Sequence, residues 1–274
     1  ISYSLAKVYN PDFKYWQGVE CAFYAAFYRV ATLGSGAGVA AIYYFNERGV
    51  PYSKGTGLYT IEYMLHKVSI ALFAGIFFIL NWGYMQKYYS QYDMTLLIGF
   101  GVTFVIAAVL LLFACSKKFH EVLLWIVRKL NRSGKLTEQV KKLEEQCAIL
   151  EDAAATLLKR GGLIAGCILK NLLKFTFWYG IPFLILAETG KLTLSQGLAV
   201  TSLAMMLAAV IPAPAGIGSS EFVLTMLLAK IVGTGAAGSV ALLYRFATFV
   251  LPFVIGAVVV VLWRRVHRST EKAA

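Results

Sequence analysis

Charged residues are scarce in this sequence. They make up 15% of its 274 residues, while 59% of the residues are hydrophobic and the mean hydropathy is +0.67. Soluble globular domains usually carry about a quarter charged residues. The shortage of charge therefore excludes a soluble globular domain and predicts an integral membrane protein.

Cysteine and histidine are also sparse. The chain has four cysteines and three histidines, which are scattered and form no CxxC pair. Zinc sites, haem attachment sites and disulfide frameworks need such residues at short, regular spacings. We therefore expect no metal, no cofactor and no disulfide, and the absence of a DxD motif indicates no nucleotide-dependent transferase.

Long apolar runs are what the sequence has instead. A spanning helix needs about 20 mostly apolar residues. Four runs are long enough and uninterrupted, at 58–82, 93–115, 163–187 and 237–263, and two more, 15–48 and 192–232, are interrupted by Gly or Pro. The chain starts at Ile1 without Met, so we expect the natural protein to have residues upstream.

The second interrupted run contains the stretch AAVIPAPAGIGSSEF, residues 208–222. Its prolines lack N–H donors and stop a helix, while its glycines permit a turn and close approach. The next helix then starts near the serines, and its free N–H groups could hold an anionic group such as phosphate. The candidate residues of this break are Pro212, Gly216, Gly218, Ser219, Ser220 and Glu221.

The two interrupted regions share a pattern. Gly36, Gly38 and Gly55 align with Gly216, Gly218 and Gly235 at an offset of 180 residues. Both regions show a hairpin tip, a short helix, a linker and a spanning helix. Three crossings separate the hairpins, so the copies would be inverted, as in many transporters. We predict an all-α, polytopic helical membrane protein with two re-entrant helical hairpins in an inverted repeat.

Several charged residues lie inside these apolar runs. A charge there costs about 2.5–3.5 kcal/mol and indicates a partner or a wet cavity. We expect Arg245 to pair with Glu221, although Glu221 also suits the start of a helix. The other candidate contacts for a lipid are Arg29, Gly36, Gly38, Glu62, Lys170, Lys174 and Tyr244. The two lysines could instead extend to lipid phosphates, and the arginines could be structural.

The basic residues predict an orientation. With two re-entrant hairpins, 18 of the 26 Lys and Arg residues fall on one face, in residues 1–14, 46–57, 116–162 and 264–274. The other face holds only Lys87, Lys191 and Lys230. The positive-inside rule makes the first face cytoplasmic. The net charge of +12 is thereby explained without nucleic acid, which we do not expect as a partner.

The segment 116–162 has a pattern of its own. KKFHEVLLWIVRKLNRSGK predicts an amphipathic interfacial helix that is broken at RSG. A heptad-like stripe follows, for which a dimerising coiled coil and a helix packed on its neighbour are the alternatives. The stripe consists of Leu136, Val140, Leu143, Cys147, Leu150, Ala154 and Leu157.

These segments define the expected organisation. Residues 1–115 form a first repeat with a re-entrant hairpin and two spanning helices. Residues 116–162 form cytoplasmic helices. Residues 163–265 form a second repeat of a spanning helix, a re-entrant hairpin and a spanning helix, and residues 266–274 form a cytoplasmic tail.

Three stretches carry a family resemblance. IPAPAGIGSSEF, ALLYRFATFVLPFVIG and the earlier GAGVAAIYYFNERGVPYSKGTGLYTIEYML resemble the transmembrane region of the lysylphosphatidylglycerol synthase, or multiple peptide resistance factor, family. The resemblance spans about residues 15–265. The positions that match the family's motif are Pro212, Gly216, Gly218, Glu221, Tyr244 and Arg245. The first half departs from it, because TLGSGAGVAA lacks the usual Pro.

The resemblance implies a lipid flippase in the bacterial cytoplasmic membrane. The substrate class would be an aminoacylated or other anionic phospholipid, or a polyprenyl-linked lipid. It does not imply lysyl transfer, which in the family belongs to a separate soluble domain. The alternatives are a membrane-embedded module of a lipid-headgroup transferase, for lysyl or glycosyl transfer, and a non-catalytic scaffold. A homodimer and a separate lipid-modifying enzyme are the protein partners left open.

Overall fold

The computed structural model describes residues 1–90, 116–130 and 137–271, together with single positions between 101 and 112. No strand occurs among these residues. The helices are α1 (Ser2–Ala6), α2 (Tyr15–Ala31), α3 (Gly36–Glu47), α4 (Tyr52–Leu80), α5 (Trp82–Tyr89), α6 (Lys117–Leu130), α7 (Thr137–Ala153), α8 (Gly161–Leu186), α9 (Leu194–Ala208), α10 (Ser219–Val232), α11 (Thr234–Arg245) and α12 (Leu251–Glu271).

Helices α2 and α3 form the first helical hairpin. The chain reverses at Leu33 and Gly34, which have φ angles of 53° and 107°. Only Gly adopts the second of these angles without strain. At the other end of the hairpin, Glu20 accepts a hydrogen bond of 2.6 Å from the Tyr44 hydroxyl and lies 3.3 Å from the Arg48 guanidinium. The end of α3 therefore returns to the level at which α2 begins.

Helix α4 runs the length of the molecule. Near its start, Lys54 forms an ion pair with Asp152 of α7. Just after its end, the Asn81 amide donates a 2.8 Å hydrogen bond to the Ser195 hydroxyl at the start of α9. These contacts place α7 and the beginning of α9 at opposite ends of α4.

Helices α9 and α10 form the second hairpin, whose tip is the Pro/Gly-rich break. After α9 ends at Ala208, the chain makes a 3₁₀ turn at Pro214–Gly216 and starts α10 at Ser219. Ala215 and Gly218 have φ angles of 54° and 85°. A Cβ atom added to Gly34 would lie only 3.3 Å from the Ala215 nitrogen, so the tips of the two hairpins meet.

A long helical rod completes the bundle. It consists of α11, a π-helical segment over Phe246–Val250, and α12. The rod packs antiparallel to α2: the rings of Phe27 and Phe253 stack at 5.3 Å, and a Cβ atom on Gly256 would lie 2.4 Å from the Phe23 carbonyl oxygen. The tip of the first hairpin thereby reaches the middle of the rod, beside the π-helical segment.

Three of the described helical stretches are long and apolar enough to cross a membrane: Tyr52–Leu80, Pro214–Val232 and Thr234–Arg265. The first and third correspond to the predicted runs 58–82 and 237–263. Helix α8 has 26 residues and matches the predicted run 163–187, but Lys170, Asn171 and Lys174 lower its hydropathy below that of the other three. The predicted run 93–115 lies outside the described residues apart from single positions.

The predicted amphipathic helix corresponds to α6, which packs on α7 through an ion pair of 2.6 Å between Arg128 and Glu144. The heptad-like stripe is used within the chain. A Cβ atom on Gly57 of α4 would lie 2.5 Å from the Ala153 Cβ, so α7 packs closely on α4. The buried members of the stripe are Val140, Cys147, Leu150 and Leu157, while Leu136 lies outside the described residues.

Two glycines of the long helices provide a test of this packing. Gly256 touches the α2 backbone, whereas a Cβ atom on Gly75 of α4 would have no neighbour within 4 Å. Overpacking costs about 1–3 kcal/mol, while Gly→Ala in an open helix gains up to about 1 kcal/mol. We expect Gly256→Ala to lower the thermal unfolding midpoint in detergent and Gly75→Ala to preserve or raise it. Equal midpoints would contradict the close approach of α2 and α12.

Candidate functional site

The start of α10 is held by a carboxylate. Oε2 of Glu221 accepts hydrogen bonds from the Gly218 N–H at 3.0 Å and from the Ser220 hydroxyl at 2.8 Å. The Ser219 hydroxyl donates to the Gly216 carbonyl oxygen at 3.3 Å, and Ser220 Oγ lies 3.0 Å from the same oxygen, so its one proton is donated either to Glu221 or to Gly216. The serines thus close the turn before the helix, and Glu221 satisfies the N–H group that the break exposes.

Arg245 lies beside this carboxylate. Its Nε is 3.1 Å from Oε1 of Glu221, and its Nη2 donates a 3.1 Å hydrogen bond to the Ala215 carbonyl oxygen. Nε forms no hydrogen bond of good geometry within the described part of the chain, so charge rather than a directed bond joins the pair. Both side chains are largely shielded, with exposed fractions of 17% and 23%. Arg245 thereby ties the end of α11 to the tip of the second hairpin.

A second arginine approaches from the first hairpin. The guanidinium carbon of Arg245 lies 3.9 Å from the ring centre of Phe249, and that of Arg29 lies 5.8 Å from the same centre. Nε of Arg29 is buried without a hydrogen-bond partner among the described residues. Two guanidinium groups therefore lie near one aromatic ring, and within the described residues Glu221 is the one carboxylate that forms an ion pair with them. The junction has an excess of positive charge and an unsatisfied donor, which suits an anionic group.

The remaining charged candidates form a separate cluster between α4 and α8. Lys174 Nζ lies 2.8 Å from the Asn171 side-chain oxygen and 3.1 Å from Nδ1 of His66. Because Lys is a donor only, Nδ1 of His66 is the acceptor in this contact. Glu62 accepts a 2.7 Å hydrogen bond from the Ser2 hydroxyl. Through Glu62 this cluster is linked to α1, and none of these hydrogen bonds involves the break at Glu221.

Lys170 lies one helical turn from Lys174 but in different surroundings. Its Nζ donates a 2.6 Å hydrogen bond to the exposed Ser4 hydroxyl of α1. Lys174 is partly buried and contacts the ring faces of Phe175 and Trp178 at 4.8 and 5.6 Å. The two lysines therefore occupy an outer and an inner position along the same helix.

Some predicted site residues have packing roles instead. The Tyr244 side chain is only 4% exposed and lies in the apolar core, so it does not contribute to a ligand surface. A Cβ atom on Gly38 would lie 2.8 Å from the ring of Tyr59, so Gly38 lets α3 pack on α4. A Cβ atom on Gly36 would lie similarly close to the Thr32 side chain. Pro212 is exposed in the bend after α9. These positions shape the break and the hairpins without contacting the arginines.

Two elements of the site were missed in the sequence. Phe249 lies four residues after Arg245, which places both on one helix face. Nothing in this spacing predicts that Arg29 also lies near the Phe249 ring. The Ala215 carbonyl oxygen was missed because a backbone group carries no sequence signal beyond the break itself. Contact between hairpins that are 180 residues apart cannot be read from local pattern.

The fold and site define a helical membrane protein in which the tips of two hairpins meet. Two arginines and one glutamate lie at their junction, so positive charge exceeds negative charge there. Within this class, residues 5–256 match the family described as the lysylphosphatidylglycerol synthase TM region. The match covers most of the chain, so the protein belongs to this family. A search of curated proteins and a search of solved structures found no match.

The ion pair at the break can be tested by a double-mutant cycle. Residues in direct contact show coupling energies of about 0.5–3 kcal/mol. We expect Glu221→Gln and Arg245→Gln each to lower the thermal unfolding midpoint in detergent, and the double variant to lose less than the sum of the two. As a control, Glu221→Gln combined with Lys54→Gln should be additive, because Lys54 is paired with Asp152 at the start of α4 and shares no partner with Glu221. Additivity in the first cycle would contradict the pairing.

Proposed function

We propose that this protein is a lipid flippase. It moves an anionic or aminoacylated phospholipid, similar to lysylphosphatidylglycerol, or a polyprenyl-linked lipid between the leaflets of the bacterial cytoplasmic membrane. The observation that carries the proposal is the junction of the hairpin tips, where Arg29 and Arg245 both lie near Phe249 and where, in the part of the chain that the structure describes, Glu221 is the one carboxylate paired with them. A lipid phosphate would supply the missing negative charge.

The hairpin geometry supports re-entrant insertion. Helix α2 has 17 residues and α3 has 12, which at 1.5 Å per residue gives about 25 and 18 Å. Both are shorter than the roughly 30 Å hydrocarbon core. The first hairpin starts and ends at one end of the bundle, through Glu20 and Arg48, and the second starts at the other end, near Asn81. Two half-length hairpins entering from opposite faces would meet near the bilayer centre.

The same geometry supports the inverted repeat. Helix α3 leaves the first tip and is followed, after a turn, by the long helix α4. Helix α10 leaves the second tip and is followed by the long rod of α11 and α12. The two units run in opposite directions, because their tips meet while their outer ends lie at opposite ends of the bundle. An inverted pair of broken helices places a substrate site at the repeat interface.

The orientation follows from the clustering of basic segments. Helices α1 and α7 both pack at the start of α4, through contacts such as that between Lys54 and Asp152. This end therefore collects much of the positive charge of residues 1–14, 46–57 and 116–162. We assign it to the cytoplasm by the positive-inside rule.

Exposed apolar side chains beside the junction suit the acyl chains. Leu33 and Ile217 at the two tips are 62% and 46% exposed, and Phe222 and Phe246 are 64% and 56% exposed. The headgroup could therefore occupy the charged junction while its chains stay against apolar surface. Irregular backbone at membrane depth is tolerated where it is buried or lines such a cavity.

The contacts suggest how a lipid would pass. The touching tips at Gly34 and Ala215 close the direct path between the two halves of the molecule. Passage requires the tips to separate, and Arg245 must then exchange Glu221 or the Ala215 carbonyl for a phosphate oxygen. Lys174 and the more exposed Lys170 offer further cationic positions toward the proposed cytoplasmic end.

Transport by variants of Arg245 and Glu221 tests this function. A charge-assisted hydrogen bond is worth about 1.5–3 kcal/mol, or roughly ten- to a hundredfold in rate. We expect Arg245→Ala to slow leaflet-resolved transport of fluorescent phosphatidylglycerol in liposomes by that factor, and Arg245→Lys to restore part of it because a point charge lacks the planar fork. Glu221→Gln keeps an acceptor for Gly218 but should slow transport by removing the exchanging charge.

The control is Arg160→Ala, which removes an exposed arginine remote from the tips and should leave transport unchanged. Normal transport by folded Arg245→Ala and Glu221→Gln proteins would contradict the proposal. Appearance of a chemically altered lipid headgroup in the same liposomes would support the transferase alternative instead.

A further inference from the structure

A groove lies on the outer side of the first hairpin, away from the Arg245–Glu221 pair. It has a volume of about 850 Å³ and lies between α2, α3 and the end of α12. Along α2 it extends from Tyr24 to Thr32, a length of about 12 Å. Its inner end includes Ser35 and Gly36, next to the tip residue Gly34. The groove therefore connects the proposed cytoplasmic end of the hairpin with the junction of the tips.

The polar end of the groove is basic. Arg264 donates a 3.3 Å hydrogen bond from Nη2 to the Tyr28 hydroxyl. Among the described residues that line the groove, Arg264 is the only charged one, and no carboxylate faces it. Its guanidinium has several further N–H donors that this single contact does not use. An exposed guanidinium beside a phenol hydroxyl is a favourable setting for phosphate oxygens.

The aromatic rings of the groove do not favour a cationic ligand. The Trp263 ring already has the guanidinium of Arg48 at 4.5 Å from its centre. A headgroup amine placed against Trp263 would therefore lie near Arg48 and in the same groove as Arg264. Like charges at this distance repel, so the groove is suited to an anion rather than to a quaternary or primary amine.

The rest of the lining is apolar. Val39 is 71% exposed and lies one residue before Ala40 on the α3 wall, with Tyr24 and Tyr43 adding ring surface. The hydroxyls at the inner end are already used: Thr32 donates to the Tyr28 carbonyl oxygen and Ser35 donates to that of Thr32. The groove thus offers one anion-binding end and an apolar wall, which matches a lipid better than a polar metabolite.

We propose that this groove binds one anionic phospholipid, with its phosphate on Arg264 and the Tyr28 hydroxyl and its first chain segments along Val39. The site is separate from the junction of the tips. The binding of lipid in this groove does not depend on the proposed function. The role of the groove does, because a lipid bound here would be the one that the flippase transports next. Arg264 and the tyrosines would then select anionic lipid before the tips separate.

Binding of short-chain phosphatidylglycerol to the purified protein in detergent, measured by native mass spectrometry, tests the proposal. We expect Arg264→Gln to weaken binding about tenfold, which is the loss expected for one charge-assisted bond. Val39→Trp should weaken it similarly by filling the groove without altering a charge. The matched control is Arg265→Gln, because the neighbouring arginine does not line the groove and its loss should have no effect.

Two comparison ligands decide the ligand class. Short-chain phosphatidylcholine should bind several-fold more weakly than phosphatidylglycerol, and glycerol phosphate without chains weaker still. Equal binding of both lipids would reduce the groove to ordinary lipid contact and overturn the proposal. Glycerol phosphate binding as tightly as the lipid, with the same loss in Arg264→Gln, would assign the groove to a free phosphate ester and also overturn it.

The failure of this proposal is distinguishable from that of the flippase. Arg245→Ala should keep full groove binding, because Arg245 does not line the groove. If groove binding follows the pattern above while the unaltered protein moves no lipid, the groove proposal holds and the transport function is wrong. If transport depends on Arg245 but neither Arg264→Gln nor Val39→Trp changes lipid binding, the groove proposal is wrong and the transport function holds.

Discussion

The carboxylate of Glu221 holds the interrupted part of this bundle together. A break in an apolar helix leaves backbone donors and acceptors without partners inside the helix. Glu221 accepts from the Gly218 N–H, and its charge holds Arg245, which in turn donates to the Ala215 carbonyl oxygen. Glu221 thus accepts a hydrogen bond at the start of α10 itself. Through Arg245 it also provides a hydrogen-bond donor for a carbonyl oxygen in the turn before the helix. These contacts, together with the backbone hydrogen bonds from Gly216 to Ala213 and from Ile217 to Pro214, stabilise the irregular tip.

The first hairpin adds a positive charge to this arrangement without adding a negative one. Arg29 brings a second guanidinium to the ring of Phe249 and brings no acid with it. A protein optimised only for stability would pair or remove such a group, because an unpaired charge away from water is costly. The anionic lipid headgroup that we propose as the substrate would offset this excess of positive charge at the contact between the two hairpins. Membership in the lysylphosphatidylglycerol synthase TM family agrees with a role in membrane lipid chemistry.

The sequence predicted the local features of this site and missed the long-range ones. The prolines and glycines of residues 212–218 located the break, because their backbone preferences act within a few residues, and α10 starts at Ser219 as expected. The pairing of Glu221 with Arg245 followed from the cost of a buried charge. Lipid contact by Gly38 and Tyr244 stays a prediction, because both positions pack against neighbouring helices in this structure and no ligand is bound. The approach of Arg29 to Phe249 depends on how α2 packs on the α12 rod, which no local pattern specifies.

The contact between the hairpin tips is the central claim, and a disulfide across it gives the most direct measurement. A Cβ atom on Gly34 would lie 4.0 Å from the Ala215 Cβ, within the usual range for a disulfide. In a Cys115→Ser background, oxidised Gly34→Cys/Ala215→Cys protein should form this bond and lose lipid transport in liposomes, and a reductant should restore the activity. The single-cysteine proteins should show no such redox dependence, and the reduced proteins with Gly34→Cys must keep lipid transport, because a side chain at a φ of 107° strains the backbone. In protein that passes this control, failure of the bond to form, or full transport by the cross-linked protein, would contradict the account.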